Sequence, residues 1–133
     1  KIINKLLELK KEQNLTYLFI THDLSLMRNI STRVAILYLG KVAEVSPTEE
    51  FFSSPEHPYT QMLLSSIPVI SEEEDRLKPQ KVEVIGEIPS PVDIPRGCSF
   101  HSRCCYMRKD ICDVEDPIFR QVSEGHVVRC HKY

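Results

Sequence analysis

The sequence predicts an α/β fold followed by a small, irregular, cysteine-rich extension. In residues 1–45, apolar β-rich runs alternate with amphipathic segments of helical period, which is the pattern of α/β proteins. An acidic stretch flanked by prolines then divides the chain near its middle. Beyond it, four of the five cysteines lie within residues 98–112. A core of helices and buried strands therefore comes first, and an appendage with few large apolar residues follows.

Composition limits the function classes. The net charge is −2 and the basic residues are scattered among acids, so no basic face indicates a nucleic-acid partner. No apolar run approaches the roughly 18 residues of a membrane span, and the N-terminus lacks the apolar core of a signal peptide. We expect a chain without a membrane span of its own, located in the cytoplasm.

The first elements follow from periodicity. Apolar residues at helical spacing predict an amphipathic helix that ends near Asn14. "TYLFIT", residues 16–21, is a continuous apolar run typical of a strand buried on both faces of a parallel sheet. A short helix is predicted over residues 23–31, and "RVAILYLGKVAEV", residues 33–45, predicts two strands joined by a tight turn at Gly40-Lys41.

The remaining elements are set by capping and proline signals. Ser46 and Glu49 have capping-box spacing with Pro47 between them, and a further helix is predicted to begin at Pro58. We assign residues 1–67 to the α/β part with its following helices, residues 68–80 to a linker, and residues 81–133 to the cysteine-rich extension.

His22 is the first candidate for a functional residue, because it follows the predicted strand "TYLFIT" directly. In parallel α/β folds, ligands gather at the carboxyl ends of strands, where a histidine can contact a phosphate or orient a water. The alternative is a structural role for the pair, in which Asp23 caps the next helix.

The cysteines are the second candidate. Five residues separate Cys98 from Cys104, seven separate Cys104 from Cys112, and seventeen separate Cys112 from Cys130. In a reducing compartment such a cluster points to a metal or iron–sulfur site rather than to disulfides. The spacings lack the C-x-x-C pairs usual for structural zinc, and a larger cluster tolerates wider loops.

Several alternatives remain open for this segment. Cys105 could replace Cys104 as a ligand, or the two could form a redox pair. Under a zinc interpretation, His101, His126 or His131 could substitute for a thiolate. The cysteines could also be buried small apolar residues without a ligand.

Three stretches, in order along the chain, carry a family resemblance. "LTYLFITHDLSLMRNISTRVAILYLGKVAE" resembles the switch-histidine segment and following strands of the ATP-binding subunits of ABC transporters. "HPYTQMLLSSIP" and "GEIPSPVDIPRGCSFHSRC" resemble segments of the subfamily that serves oligopeptide and dipeptide importers. The resemblance implies that residues 1–67 are the C-terminal part of an ABC-type nucleotide-binding domain.

The resemblance also implies roles for the candidate residues. His22 would be the catalytic switch histidine, which contacts the γ-phosphate of ATP and helps to position the attacking water. Cys98, Cys104, Cys112 and Cys130 would bind a 4Fe-4S cluster, with zinc as the alternative. The cluster's role would be to stabilise an extension too small for a large core.

The expected function is therefore that of the C-terminal portion of an ATP-hydrolysing importer subunit on the cytoplasmic side of the membrane. By the resemblance, its partners are a second ATPase subunit and transmembrane permeases. The sequence has no G-x-x-x-x-G-K-[ST] loop, so ATP and magnesium would bind only with a missing N-terminal part, and we expect this chain to be inactive alone. The alternative is a free-standing, metal-binding regulatory module derived from such a subunit, without ATPase activity.

Overall fold

A computed structural model describes residues 2–67, 82–83 and 85–133 of the chain. The chain divides into two compact units, Lys1–Thr32 and Arg33–Tyr133. The regular secondary structure of the described residues consists of helices and an antiparallel sheet, which agrees with the predicted α/β class. The predicted linker at 68–80 lies outside the described residues, and the domain boundaries predicted on either side of it stay predictions.

The first unit contains two helices. Helix α1 spans Ile2–Gln13 and ends as predicted, because Asn14 takes a positive φ of 52° that stops the helix. Helix α2 spans Leu24–Ile30, and the carboxylate of Asp23 accepts a hydrogen bond of 2.9 Å from the backbone N–H of Leu26. Asp23 is therefore the N-cap of this helix.

The predicted strand over residues 16–21 is wrong for the described structure. These residues have no regular secondary structure, and Leu18 and Ile20 are 90% and 95% exposed. A strand needs hydrogen-bonded neighbours and apolar layers on its faces. None of the described strands pairs with this segment, so its apolar run has no sheet to complete.

The second unit begins with a β-hairpin. Strand β1 spans Arg33–Tyr38 and pairs in antiparallel fashion with β2, which spans Lys41–Pro47. The turn consists of Leu39 and Gly40, both with positive φ, so it lies one residue before the predicted position. Alternate side chains of β1 are buried, as expected for a sheet with one face on the core.

The cysteine-rich extension contributes two strands to this same sheet. Strand β3 spans Phe119–Ser123, strand β4 spans His126–Arg129, and the order in the sheet is β1-β2-β4-β3. Strand β4 pairs with β2 through Val127 and Val128. The expectation of an irregular appendage is thus corrected, because backbone hydrogen bonds join these residues to the first hairpin.

Two further helices follow β2. Helix α3 spans Thr48–Ser53, and the predicted capping box is wrong because β2 continues through Pro47 and buries Ser46 within the sheet. Sheet pairing supplies the backbone partners there, so no side-chain cap forms. Helix α4 spans Pro58–Ser65 and begins at Pro58 as predicted.

The core of the second unit lies where these elements meet the cysteine segment. Tyr38 of β1, Met62 of α4 and Phe100 form a buried cluster, and Cys98 and Cys104 pack against it. Among the described residues, no helix is both long and apolar enough to cross a membrane.

Candidate metal centre

Four cysteines line one pocket in the second unit. They are Cys98, Cys104, Cys112 and Cys130, the same four singled out by the sequence. Strand β4 ends at Arg129 and so delivers the last of them to the segment that holds the other three. The sheet and the loop over residues 98–112 together bring the thiols to a shared space.

Gly97 allows the loop to close on itself. Its φ is +72°, and the N–H of Cys98 donates a hydrogen bond of 2.8 Å to the carbonyl oxygen of Cys112. A Cβ atom at position 97 would lie 2.9 Å from the backbone atoms Asp113 C and Val114 N. Only glycine therefore permits the approach that sets Cys98 beside Cys112.

Local hydrogen bonds orient the thiols further. A short 3-10 helix, His101–Arg103, follows Cys98, whose carbonyl oxygen accepts bonds from the backbone N–H of His101 at 2.9 Å and its Nδ1 at 2.8 Å. The backbone N–H of Arg108 donates to Sγ of Cys112 at 3.4 Å. Such N–H···S bonds support a sulfur ligand and modulate its electron density.

The protonation of the thiols follows from their burial. Burial raises the pKa of Cys98 to about 11 and that of Cys104 to about 12. It also raises the pKa of Cys130, against the smaller opposing effects of Lys132 and Arg108. These three groups are neutral thiols at neutral pH, so a metal that binds them must displace protons.

The remaining lining of the pocket is cationic or neutral. Arg108 and Lys132 line it together with His101 and His131, and none of the described lining residues is a carboxylate. His131 is fixed by its Nε2, which donates a 2.8 Å hydrogen bond to the carbonyl oxygen of Glu115.

Two of the alternative ligands lie elsewhere. Cys105 is exposed and does not line the pocket, although it follows Cys104 directly. His126 is 1% exposed and takes part in a separate network. Among the described residues, no group of three or more His, Cys, Asp or Glu side chains could hold a single metal ion. The four thiols thus surround a shared space without converging on one point.

That separate network joins the sheet to the start of α4. Glu44 of β2 is 1% exposed, and its carboxylate accepts hydrogen bonds of 2.9 Å from the backbone N–H groups of Glu56 and His57. Nε2 of His126 lies 2.7 Å from Oε1 of Glu44, and its Nδ1 lies 3.0 Å from Oε2 of Glu50. Sequence reasoning missed Glu44, whose one signal is a carboxylate inside the apolar strand "KVAEV".

His57 borders both the network and the cysteine pocket. Its Nδ1 accepts a 3.0 Å hydrogen bond from the backbone N–H of Tyr59 and thereby caps α4. Burial lowers the pKa of His57 to about 4, so the ring is neutral at physiological pH. His57 acts there as a neutral structural cap.

His22 lies in the first unit, exposed, between residues 16–21 and the cap of α2. The four cysteines lie in the second unit. The catalytic role of His22 stays a prediction.

Comparison with known proteins identifies similar sequences over the whole chain. The protein-family profile described as "Oligopeptide/dipeptide transporter, C-terminal region" matches residues 43–112. The chain is 47% identical over 133 residues to the oligopeptide transport ATP-binding protein AppF of Bacillus subtilis, an alignment that covers 100% of this chain and 40% of that protein.

Two further relatives align over nearly the whole of this chain. The chain is 40% identical over 131 residues to the probable peptide ABC transporter ATP-binding protein y4tS of Sinorhizobium fredii, covering 98% of this chain and 36% of the relative. It is 37% identical over 130 residues to the dipeptide transport ATP-binding protein DppF of Haemophilus influenzae, covering 98% and 38%. The chain thus spans less than half the length of the curated relatives it matches.

Proposed function

This chain belongs to the oligopeptide/dipeptide transporter C-terminal-region family, and from that premise we propose that it is the C-terminal part of an ATP-hydrolysing importer subunit. The observation that carries the proposal is identity of 47% with an oligopeptide transport ATP-binding protein, sustained over all 133 residues. The subunit would couple ATP hydrolysis to uptake of oligopeptides or dipeptides. It would work on the cytoplasmic side of the membrane, with a second ATPase subunit and transmembrane permeases.

In this proposal, ATP and magnesium bind mainly to other residues of the subunit. The 133 residues contain no G-x-x-x-x-G-K-[ST] loop, which cradles the phosphates in such enzymes. His22 would contact the γ-phosphate and orient the attacking water, a positioning task that dominates phosphoryl transfer. Its exposure leaves the imidazole accessible to a ligand.

The role of His22 is tested in the assembled importer. His22→Ala is expected to lower ATP hydrolysis by about 100-fold or more, the usual range for loss of a positioned proton-transfer or polar group. Asp23→Asn is the matched control, because asparagine keeps the N-cap acceptor of α2 and leaves hydrolysis near the wild-type rate. A wild-type rate of ATP hydrolysis in the His22→Ala variant would show that His22 has no role in catalysis.

We further propose that Cys98, Cys104, Cys112 and Cys130 hold a 4Fe-4S cluster. The described lining of the pocket offers four thiols and no competing carboxylate, a donor set that suits iron–sulfur ligation. A cubane cluster binds each thiolate at a different iron, so the sulfurs need not converge, whereas one zinc ion would require them to meet. When bound, the cluster would cross-link the loop over residues 98–112 to the end of β4.

The cluster is tested by iron and acid-labile sulfide analysis on protein purified without oxygen. About four iron and four sulfide per chain, with a broad absorption band near 400 nm, are expected. Cys98→Ser and Cys130→Ser should lose most of the iron, whereas Cys105→Ser, the matched control outside the pocket, should keep it. One zinc per chain without sulfide would overturn the cluster and favour a structural zinc site.

A further inference from the structure

Among the described residues, the charged side chains that line the four-cysteine pocket are cationic. Arg108 and Lys132 both line it, and both side chains are cationic at neutral pH. Among the residues that the structure describes, no aspartate or glutamate lines the pocket. Lys109, directly after Arg108, is exposed and does not line it, so the cationic lining is specific to two residues.

We propose that Arg108 and Lys132 raise the electron affinity of the cluster site, so that it accepts one electron from a low-potential one-electron donor. This inference rests on the 4Fe-4S cluster proposed above. The added electron stays on the cluster, no bond to a cysteine sulfur is broken, and no proton is required. The site would then be redox-active in addition to holding the fold together.

The physical reason is electrostatic. A cluster ligated by four thiolates is net negative, and reduction adds one further negative charge. A fixed positive charge nearby lowers the free energy of the reduced form more than that of the oxidised form. The N–H of Arg108, which donates to Sγ of Cys112 at 3.4 Å, acts in the same direction because it stabilises charge on the sulfur.

Glu56 provides an opposing charge. Its Oε2 lies 3.8 Å from Nζ of Lys132, although Glu56 does not line the pocket. The Lys132 side chain is 45% exposed, so water screens part of its field, and Glu56 offsets a further part. Removing the carboxylate should therefore strengthen the effect of Lys132 on the site.

The test is an anaerobic potentiometric titration of the full chain, with dithionite as the electron donor and electron paramagnetic resonance of the reduced cluster as the readout. At a fixed potential, Lys132→Gln and Arg108→Gln should each lower the ratio of reduced to oxidised cluster about threefold to tenfold. Glu56→Gln should raise that ratio. Lys132→Arg, which keeps the charge, and Lys109→Gln, the control outside the pocket, should leave it unchanged.

Iron and sulfide content is measured first in each protein, which separates the possible failures. Wild-type protein without iron and sulfide would overturn the cluster and this inference together. Full iron content with unchanged ratios in both Lys132→Gln and Arg108→Gln would overturn the inference and leave the proposed function intact. A wild-type cluster that dithionite cannot reduce would also overturn it. If one variant loses iron, the other decides the outcome.

Discussion

Glu44 is one carboxylate inside an apolar strand, yet three groups depend on it. Its buried carboxylate accepts from the backbone N–H groups of Glu56 and His57 and contacts Nε2 of His126, and the side chains of His57 and His126 are buried as well. Removal of one partner from a buried polar network leaves the others unsatisfied, which costs more than the bonds themselves contribute. Glu44 therefore fixes the positions of β2, β4 and the start of α4 relative to one another.

Glu44→Ala should lower the free energy of unfolding by about 3 kcal/mol or more, since buried donors and a buried histidine lose their acceptor. Urea unfolding at neutral pH measures the change. Glu49→Ala, at an exposed position of α3, is the matched control and should stay within about 0.5 kcal/mol of wild type. Equal effects of the two substitutions would contradict the role given to Glu44.

The environment of Glu50 makes the stability of the protein depend on pH. The Oγ of Ser123 donates a 2.6 Å hydrogen bond to Oε2 of Glu50 and, with His126, holds the pKa of that carboxyl below its usual value. A carboxyl with a lowered pKa in the folded state contributes stability above its unfolded pKa, and the contribution is lost as the pH falls through the folded pKa.

Ser123→Ala should accordingly destabilise the protein modestly at pH 7, and the difference from wild type should shrink as the pH falls below the usual glutamate pKa of about 4.3. Denaturant unfolding of both proteins across this range gives the comparison. A difference that stays constant with pH would mean that the hydroxyl acts by packing and not through the charge of Glu50.

At the level of single elements, the loop over residues 98–112 depends on one glycine. Gly97 and Gly40 both take positive φ, but only the first has backbone where a Cβ would lie. Gly97 is therefore constrained by space as well as by conformation, whereas Gly40 is constrained by conformation alone.

Gly40→Ala should lower the free energy of unfolding by about 1 kcal/mol, because a left-handed conformation is unfavourable for a residue with a side chain. Gly97→Ala should lower the free energy of unfolding further, by about 3 kcal/mol or more, because the backbone near Cys112 must shift. It should also reduce iron retention, which Gly40→Ala should not. Unfolding curves and iron content of the two variants check this, and equal costs would contradict the close approach at Gly97.

Local signals predicted the elements whose partners are near in sequence. Asn14, Asp23 and Pro58 mark helix ends by their own backbone and side-chain chemistry, and all three predictions agree with the structure. The capping box at Ser46 failed because long-range pairing with β1 competed with a local cap. The prediction of a strand over residues 16–21 failed because a strand buried on both faces needs neighbouring strands. The local apolar pattern does not show whether such strands are present.

The same distinction applies to the candidate site. The close spacing of the cysteines indicated a metal or cluster site, and the family resemblance selected Cys98, Cys104, Cys112 and Cys130. The contact of Glu44 with His126 joins residues 82 positions apart, and neither residue carries a local signal for the other. The sequence therefore pointed to four cysteines that line one pocket, and it gave no sign of the Glu44–His126 network.

For the whole molecule, the division into two compact units separates the candidate functions. The sheet, its core cluster and the four-cysteine pocket all consist of residues 33–133, which form one unit. His22 belongs to the other unit. Substitutions in residues 33–133 can therefore test the stability of the pocket, and substitutions at His22 can test its chemistry separately.

Residues 33–133 alone should fold and bind iron as the full chain does, with an unfolding free energy within about 1 kcal/mol of it. Circular dichroism, urea unfolding and iron analysis of this fragment make the comparison. An unfolded fragment would show that residues 1–32 contribute to the stability of the sheet.

The pairing of β4 with β2 also has a consequence during synthesis. When the ribosome has made the first hairpin, the open edge of β2 exposes unpaired backbone groups, and Glu44 lacks His126 until residues 126–129 emerge. Unpaired strand edges are sites of misassociation in nascent chains. The first hairpin is therefore most exposed to misassociation before residues 126–129 emerge, and Cys130 joins the other three pocket cysteines only after β4 has paired with β2.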